Sequence, residues 1–512
     1  MNGAESLART LLACGIDTCF ANPGTSEMHF VAALDQVEGL RCVLGLAETV
    51  VTGCADGYAR MAGKPAATLL HCGPGFANGI ANLHNARRAG SPIVNVVGDH
   101  ATYHAQFDPP LAADTEALTR AVSHWMKTGT AASSVGADAA AAVQAANAPP
   151  GRIATLVLPA DCAWNEGGEV AQPLPALQPA GVASETHDAL AELLRGGEAC
   201  MLVLAGSALG ERGLAAAHRI SAATGAALRT PTQVSRMARG RGRPPVDRIP
   251  YSVDAAVQAL ARVRHVILVG AARPVAFFAY PGKPSLVAPP DASYHVLATA
   301  EQDGVAALEA LAQALGAPRA PALAQLARPV RARGKFTPEA FGATLASVLP
   351  EDAIVVEEAV TSGRQLFPPT FAAAPHDWLQ ITGGAIGYGF PCATGAAVAA
   401  PNRKVVCLQA DGGGMYSLQA LWTQAREKLD VVNVVFANRM YRILQGELAA
   451  VGAKPGRASA DLFDLSRPTL DWVKLAAGMG VEGAAVDTME AFADVFDAAC
   501  SRRGPFLIEL VI

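Results

Sequence analysis

The sequence predicts an α/β protein made of three consecutive α/β units with mainly parallel sheets, the first and third alike. Three observations predict it. Short apolar runs alternate with amphipathic stretches at helical spacing along most of the chain. Glycine- or proline-bearing turns stand where apolar runs stop, as at Asn22-Pro23-Gly24, His71-Cys72-Gly73-Pro74-Gly75 and Asp411-Gly412-Gly413-Gly414. Two stretches rich in Pro and small residues, 165–185 and 317–335, interrupt the alternation and read as linkers, setting the units at 1–164, 186–316 and 336–512.

Composition agrees with this plan. A length of 512 residues favours about three domains, and 51% hydrophobic against 17% charged residues describes a well-buried globular chain. The net charge of −5 is spread without blocks, and the short cluster ARGRGRPP (238–245) reads as a solvated loop, so nucleic acid is not an expected partner. Ten scattered cysteines without a C-x-x-C pair suggest a reduced cytoplasmic protein with individually buried thiols. Neither a leader-like N-terminus nor a long uncharged apolar run suggests export or a membrane partner.

In chain order, a first helix from about Gly3 to Cys14 places Ala4, Leu7, Leu11 and Leu12 on one face, and Gly15 stands where a helix stops. Thr18–Ala21 reads as a buried strand running into Asn22-Pro23-Gly24-Thr25-Ser26-Glu27, where Thr25 or Ser26 could cap the next helix. The run Val43–Leu46 delivers Glu48 to a strand-to-helix junction. Strands at Ala67–Leu70, Ile93–Val97 and Ala154–Leu158 follow, which implies a parallel sheet covered on both faces. The middle unit, with strands Met201–Leu204 and Val266–Val269, is Rossmann-like but lacks a phosphate fingerprint at either strand end. The third unit opens with a helix near Pro338–Ser347, then strand Ala353–Glu357 and the glycine-rich Thr382–Gly389.

The stretch Val405–Leu444 carries the strongest chemical signal. An apolar run ends at Asp411-Gly412-Gly413-Gly414, an amphipathic segment places Leu418, Leu421, Trp422 and Ala425 at helical spacing, and a second run, Val431–Phe436, leads to Asn438. Ligands of such βαβ units bind beyond the carboxyl ends of the strands, where glycines admit an anion close to the backbone. Asp411 and Asn438 offer hard oxygen ligands suited to Mg²⁺ shared with a diphosphate. An ordinary turn in a nucleotide-binding-like sheet is the plainer alternative. Glu48, a carboxylate at a strand end, is expected to be partly buried and able to exchange a proton with a heterocycle nitrogen. The plainer alternative there is a helix-start Glu favoured by the helix dipole.

Asp411-Gly412, the closing Asn438, and Glu48 in an earlier unit together resemble thiamine-diphosphate (ThDP) enzymes. The stretches NPGTSE, the Glu48 region with ADGYAR, HCGPG and TGGAIGYGFP extend the resemblance over nearly the whole chain, nearest to acetolactate-synthase-like large subunits and benzoylformate decarboxylase. Ala410 and Ala437 replace the Gly and Asn usual in the family motif, neither of which is a ligand there. The resemblance implies a ThDP-binding fold for the first unit (pyrimidine) and the third (diphosphate and Mg²⁺).

It also implies roles. Glu48 would contact N1′ of the aminopyrimidine, the Gly384 carbonyl would accept from the 4′-amino group, and Ile386 would wedge beneath the cofactor. Gly412, Gly413 and Gly414 would face the diphosphate, while Asp411, Asn438 and the Met440 carbonyl would hold Mg²⁺. ThDP itself supplies the electron sink. Ser26 and His71 match positions that face substrate in benzoylformate decarboxylase, with a helix cap and a hydrogen-bonded strand-end histidine as their structural alternatives. That enzyme's second histidine has no counterpart near PVAFFAYPG (274–282), where Phe277 or Phe278 takes the space; His100 and His104 are substitutes or surface loop residues. FAD, bound by some acetolactate synthases, stays open. Active sites shared between the subunits of a homodimer or homotetramer are implied.

The expected activity is therefore making or breaking a C–C bond next to the carbonyl of a 2-oxo acid. An acetolactate-synthase-like carboligase is favoured, because a site poor in proton donors leaves the activated acyl unit to attack a second carbonyl. A benzoylformate-decarboxylase-like lyase is the alternative, and a catalytically silent ThDP-fold subunit a third reading. A nicotinamide-dependent dehydrogenase is set aside for want of G-x-G-x-x-G in a fitting βαβ context.

Overall fold

The computed structural model describes residues 1–323 and 325–512. Its first sheet is entirely parallel, with strands β1 (Thr18–Ala21), β2 (Arg41–Leu44), β3 (Ala66–His71), β4 (Ile93–Asp99), β5 (Trp125–Thr128) and β6 (Ile153–Pro159) in the order β2-β1-β3-β4-β6-β5. The middle sheet comprises β7 (Cys200–Leu204), β8 (Ala227–Thr230), β10 (Asp247–Arg248), β11 (His265–Val269) and β12 (Ser293–Ala298), ordered β10-β8-β7-β11-β12. The third holds β13 (Ala353–Glu358), β14 (His376–Gln380), β15 (Val405–Ala410), β16 (Val431–Ala437), β17 (Glu482–Val486) and β18 (Phe506–Val511). Numbered from their own first strands, the first and third sheets share one order, 2-1-3-4-6-5. The same strand ends therefore bear the predicted site residues in both units: His71 and Asp411 close the third strand of each or follow it, and Glu48 and Gly384 follow the second. The expectation that these units are alike holds at the level of topology.

A short strand, β9 (Met237–Arg239), leaves the middle segment to pair antiparallel with β14 at the edge of the third sheet. This corrects the reading of residues 238–245 as a solvated loop. Arg239 is buried, with its guanidinium 3.7 Å from the Phe367 ring centre, 4.4 Å from Phe371 and 4.7 Å from Trp378. A flat, weakly hydrated guanidinium stacks on aromatic faces, which a count of charges along the sequence does not reveal.

Helices Glu48–Ala62 and Gly389–Ala399, each following the second strand of its sheet, pack against one another. Glycine permits the approach: a Cβ on Gly57 would lie 2.0 Å from the Cys392 carbonyl oxygen, and one on Gly395 1.8 Å from that of Cys54. Residues of both sheets share one apolar core around this crossing, including Phe20, Val50, Val356 and Phe390. Arg60, one turn from the crossing, binds Asp56 through two nitrogens at 2.8 and 2.6 Å. It also donates to the carbonyls of Gln380 (2.7 Å) and Ser235 (3.1 Å) and to the Tyr388 hydroxyl (2.9 Å). One buried cation thus joins all three segments of the chain.

Two further expectations change. The segment after Asp411 is not one helix from Leu418. Asp411–Gly414 makes a single helical turn, and the helix proper runs Ala420–Arg426. The thiols are not all buried: Cys42 is exposed, and Cys14 and Cys500 are half-buried. No helix among the described residues is long and apolar enough to cross a membrane.

Candidate active site

The loop after β1 brings Ser26 to His71 at the end of β3. Gly24 makes room, since a Cβ there would sit 2.2 Å from the His71 ring. Neither Thr25 nor Ser26 caps the following turn. Instead Glu27, three residues on from Gly24, reaches back and accepts from the Gly24 amide at 2.6 Å. That frees the Ser26 hydroxyl, which lies 3.1 Å from His71 Nδ1 and 3.2 Å from Cys72 Sγ and also contacts the Glu27 carboxylate. Glu27 itself is buried and stands 3.0 Å from His71 Nδ1. A proton on Nδ1 is therefore held toward Glu27, leaving the Nε2 lone pair for other work. Glu27 was not singled out from sequence; the capping spacing Gly24-Thr25-Ser26-Glu27 was the available signal.

Glu48 starts its helix and is half-buried, as expected. Its carboxylate accepts from Asn78 Nδ2 at 3.2 Å. A Cβ on Gly75 would lie 3.0 Å from Glu48 Oε1 and 3.3 Å from the His71 Cβ, so this glycine keeps the two site residues adjacent. Cys72 adopts φ +53 at the elbow between β3 and its helix, and burial pushes its thiol up to about 11. His100 Nδ1 lies 3.2 Å from Asp99 Oδ1, and ligand atoms of Cys72, Asp99 and His100 fall within 4.8 Å of one another. His100 therefore borders the His71 cluster, whereas His104 is exposed and near Phe107.

The second group of predicted residues gathers at the carboxyl ends of β14, β15 and β16. Gly384 has φ +76, and a Cβ there would lie 2.9 Å from the Phe277 ring. The middle segment thus delivers Phe277 to the Gly384 loop. Ile386, half-buried, packs against the shared core. Asp411 accepts from the Gly412 amide at 2.8 Å and the Arg439 amide at 2.6 Å, while Asn438 Oδ1 accepts from the Met440 amide at 3.0 Å. Burial raises Asp411 to about 6, against the opposing pull of those amides. Side chains on Gly412, Gly413 or Gly414 would meet Tyr441 at 2.3 Å, Glu358 at 2.8 Å and Trp472 at 2.7 Å.

The donor set suits a magnesium-bound diphosphate. Asp411 and Asn438 keep oxygen lone pairs after these bonds. The three-glycine turn offers bare backbone, and the buried Ser417 Oγ a little beyond it has no hydrogen-bond partner. Among the described residues, no hydrogen bond joins the Glu48 carboxylate to any residue from 382 to 440.

Glu358 likewise carries no local signal in the sequence. At the end of β13 it is fully buried and accepts from the amides of Gly387 at 2.7 Å and Gly389 at 2.5 Å, bracing the loop that carries Ile386. Burial raises its carboxyl from 4.5 to about 7, despite those amides. Because the folded state holds this proton more tightly, its contribution to stability declines as pH rises from about 4.5 to about 7 and then levels off. Glu358→Gln in the apoprotein is expected to remove a decline on the order of 3 kcal/mol across that window. Thermal midpoints at pH 5 and 7.5 measure it; an unchanged difference between them would refute the assignment.

Comparison with known proteins decides what these residues belong to. Residues 1–126 match the family described as thiamine pyrophosphate enzyme, N-terminal TPP binding domain, and residues 366–510 its C-terminal TPP binding domain. A Mycobacterium tuberculosis protein with the provisional name acetolactate synthase large subunit IlvX is 50% identical, over 100% of this chain and 99% of its own. The chain belongs to the thiamine pyrophosphate enzyme family. Benzoylformate decarboxylase of Pseudomonas aeruginosa is 28% identical over 97% of this chain and 96% of its own. The solved ThDP-dependent 4-hydroxybenzoylformate decarboxylase of Rhodococcus jostii superposes with a TM-score of 0.85 at 25% identity, covering 100% of this chain and 99% of that one. The fold of this ThDP enzyme is therefore the one its sequence implied, and thiamine diphosphate is its cofactor.

Proposed function

We propose that this ThDP enzyme is an acetolactate-synthase-like carboligase acting on 2-oxo acids, working as a cytoplasmic homodimer or homotetramer. The single observation that carries the choice is the apolar wall at Gly384. Phe277, with Phe278 at a ring-centre distance of 5.1 Å, occupies the approach where a proton-donating side chain would favour simple release of the decarboxylated product. Full-length similarity to IlvX supports the same reading. Bound ThDP supplies a nucleophilic carbon and an electron sink for the bond next to the carbonyl.

The chain supplies the rest. In this reading Asp411, Asn438 and the Met440 carbonyl hold Mg²⁺, and the amides of Gly412, Gly413 and Gly414 face the diphosphate. The Gly384 carbonyl would orient the aminopyrimidine and Ile386 would support it. Glu48 of a second subunit holds the proton at the pyrimidine N1′, which fits a carboxylate left unbonded to its own chain's 382–440 region. Ser26 and His71 orient the substrate carboxylate and carbonyl.

The Ser26–His71 pair at 3.1 Å favours the second reading, a 2-oxo acid decarboxylase, because a fixed imidazole beside the substrate can take up a proton at Nε2 and pass it to the product. A panel of 2-oxo acids, with and without a second carbonyl acceptor and acyl-CoA thioesters, separates the two through CO₂ release and coupled product. Phe277→His is expected to raise the ratio of free aldehyde to coupled product about tenfold or more, since a positioned acid typically contributes at least that much. An unchanged ratio removes the argument for carboligation. No CO₂ and no product from any substrate, with ThDP bound, would leave the silent-subunit reading.

A further inference from the structure

Cys19 on β1 and Cys42 on β2 are direct partners in the parallel register. Directly paired residues of neighbouring strands point to the same face, and strands lie about 4.8 Å apart, inside the roughly 4.4–6.8 Å window that a disulfide spans. The two thiols act on one another. Interaction with Cys42, together with burial, raises Cys19 well above the ordinary thiol, while interaction with Cys19 lowers Cys42 against the opposing effect of burial. Accessibility divides them in the same way. Cys19 is sealed in the core beneath the sheet, whereas Cys42 alone of the ten cysteines is exposed, on a strand that forms the sheet edge. One thiol is thus placed to meet an oxidant, and the other to resolve what forms.

We propose that Cys19 and Cys42 are an oxidisable pair that closes a reversible cross-strand disulfide, with a small-molecule disulfide as the oxidant. The Cys42 thiolate attacks one sulfur of the oxidant, breaking its S–S bond and expelling one thiolate. Cys19 then loses its proton to solvent and attacks Cys42 Sγ, expelling the second. Two protein thiols and one disulfide become one protein disulfide and two small thiols, and the pair's two electrons leave with those thiols. The bond would tie together the strands that lead to Ser26 and Glu48, five and four residues beyond their respective ends.

Oxidised glutathione, applied to the full-length holoenzyme, provides the test through thiol counting and mass spectrometry of non-reduced peptides. The expected result is loss of two of the ten thiols, a Cys19–Cys42 cross-linked peptide lighter by two hydrogens, and no retained glutathione. Cys19→Ser is expected to trap one glutathione on Cys42, and Cys42→Ser to leave Cys19 unmodified. Stable glutathione on Cys42 in the unaltered chain, a Cys42–Cys42 link between two chains, or ten unreacted thiols would each overturn the proposal. Cys42→Ser alters only an exposed position, so its readout does not depend on how well the core tolerates a change at Cys19.

Discussion

Replacing Glu48 by Gln is expected to lower kcat/KM by about two to four orders of magnitude while the protein still folds and binds ThDP. The range is that of a single acid–base group removed from a site whose other parts persist. Among the described residues the half-buried Glu48 side chain makes one hydrogen bond, to Asn78, so a neutral isostere disturbs little else. Cofactor affinity by calorimetry, beside steady-state rates, distinguishes this from a binding defect. Glu48→Gln with near-normal turnover would remove Glu48 from the chemistry. The sharing of sites is tested separately by mixing chains that carry Glu48→Ala with chains that carry Asp411→Ala, each inactive alone. A mixed dimer restores one intact site of two if Glu48 and Asp411 come from different chains. No recovery in a verified heterodimer would place both groups in one chain.

The largest effect on stability is expected at Arg60. Its guanidinium is 2% exposed and its partner Asp56 is fully buried, so Arg60→Met leaves an unpaired buried carboxylate and strands the acceptors at Ser235, Gln380 and Tyr388. Breaking one side of a buried ion pair typically costs about 3–5 kcal/mol, far more than the net worth of the intact pair. Because the partners lie on three segments, the loss is expected as a lower thermal midpoint for the whole chain rather than for one part. Arg60→Lys is expected to recover only part, lacking the planar fork that binds Asp56 through two nitrogens. Adding Asp56→Leu to Arg60→Met is expected to regain stability by removing the orphaned charge, a sign that only coupled residues show. Additive losses in that double variant would mean that the two side chains act independently.

Much of the candidate site was legible because each residue sits where a local pattern breaks. Asp411 and Asn438 end apolar runs, Glu48 opens a helix, and Gly384 interrupts a glycine-rich loop whose φ of +76 needs no side chain. Local patterns do not report residues whose meaning lies in their neighbours. Glu27 looked like one more residue of a turn, yet its carboxylate fills the cap that Ser26 was expected to fill. Glu358 carries no local signal, yet burial raises its carboxyl against the pull of two loop amides. Arg239 looked like part of a solvated basic loop and is instead enclosed by three aromatic rings.

The sequence alone determined the class of fold, the likeness of its first and third units and the chemistry of its cofactor, because apolar periodicity and turn residues act over short spans of chain. Only the tertiary structure decided which side chains hydrogen-bond to one another, which charge lies buried at the crossing of three segments, and that Phe277 faces Gly384. Those outcomes depend on distances between residues far apart in the chain, and on how much water the packing of several elements leaves around each group.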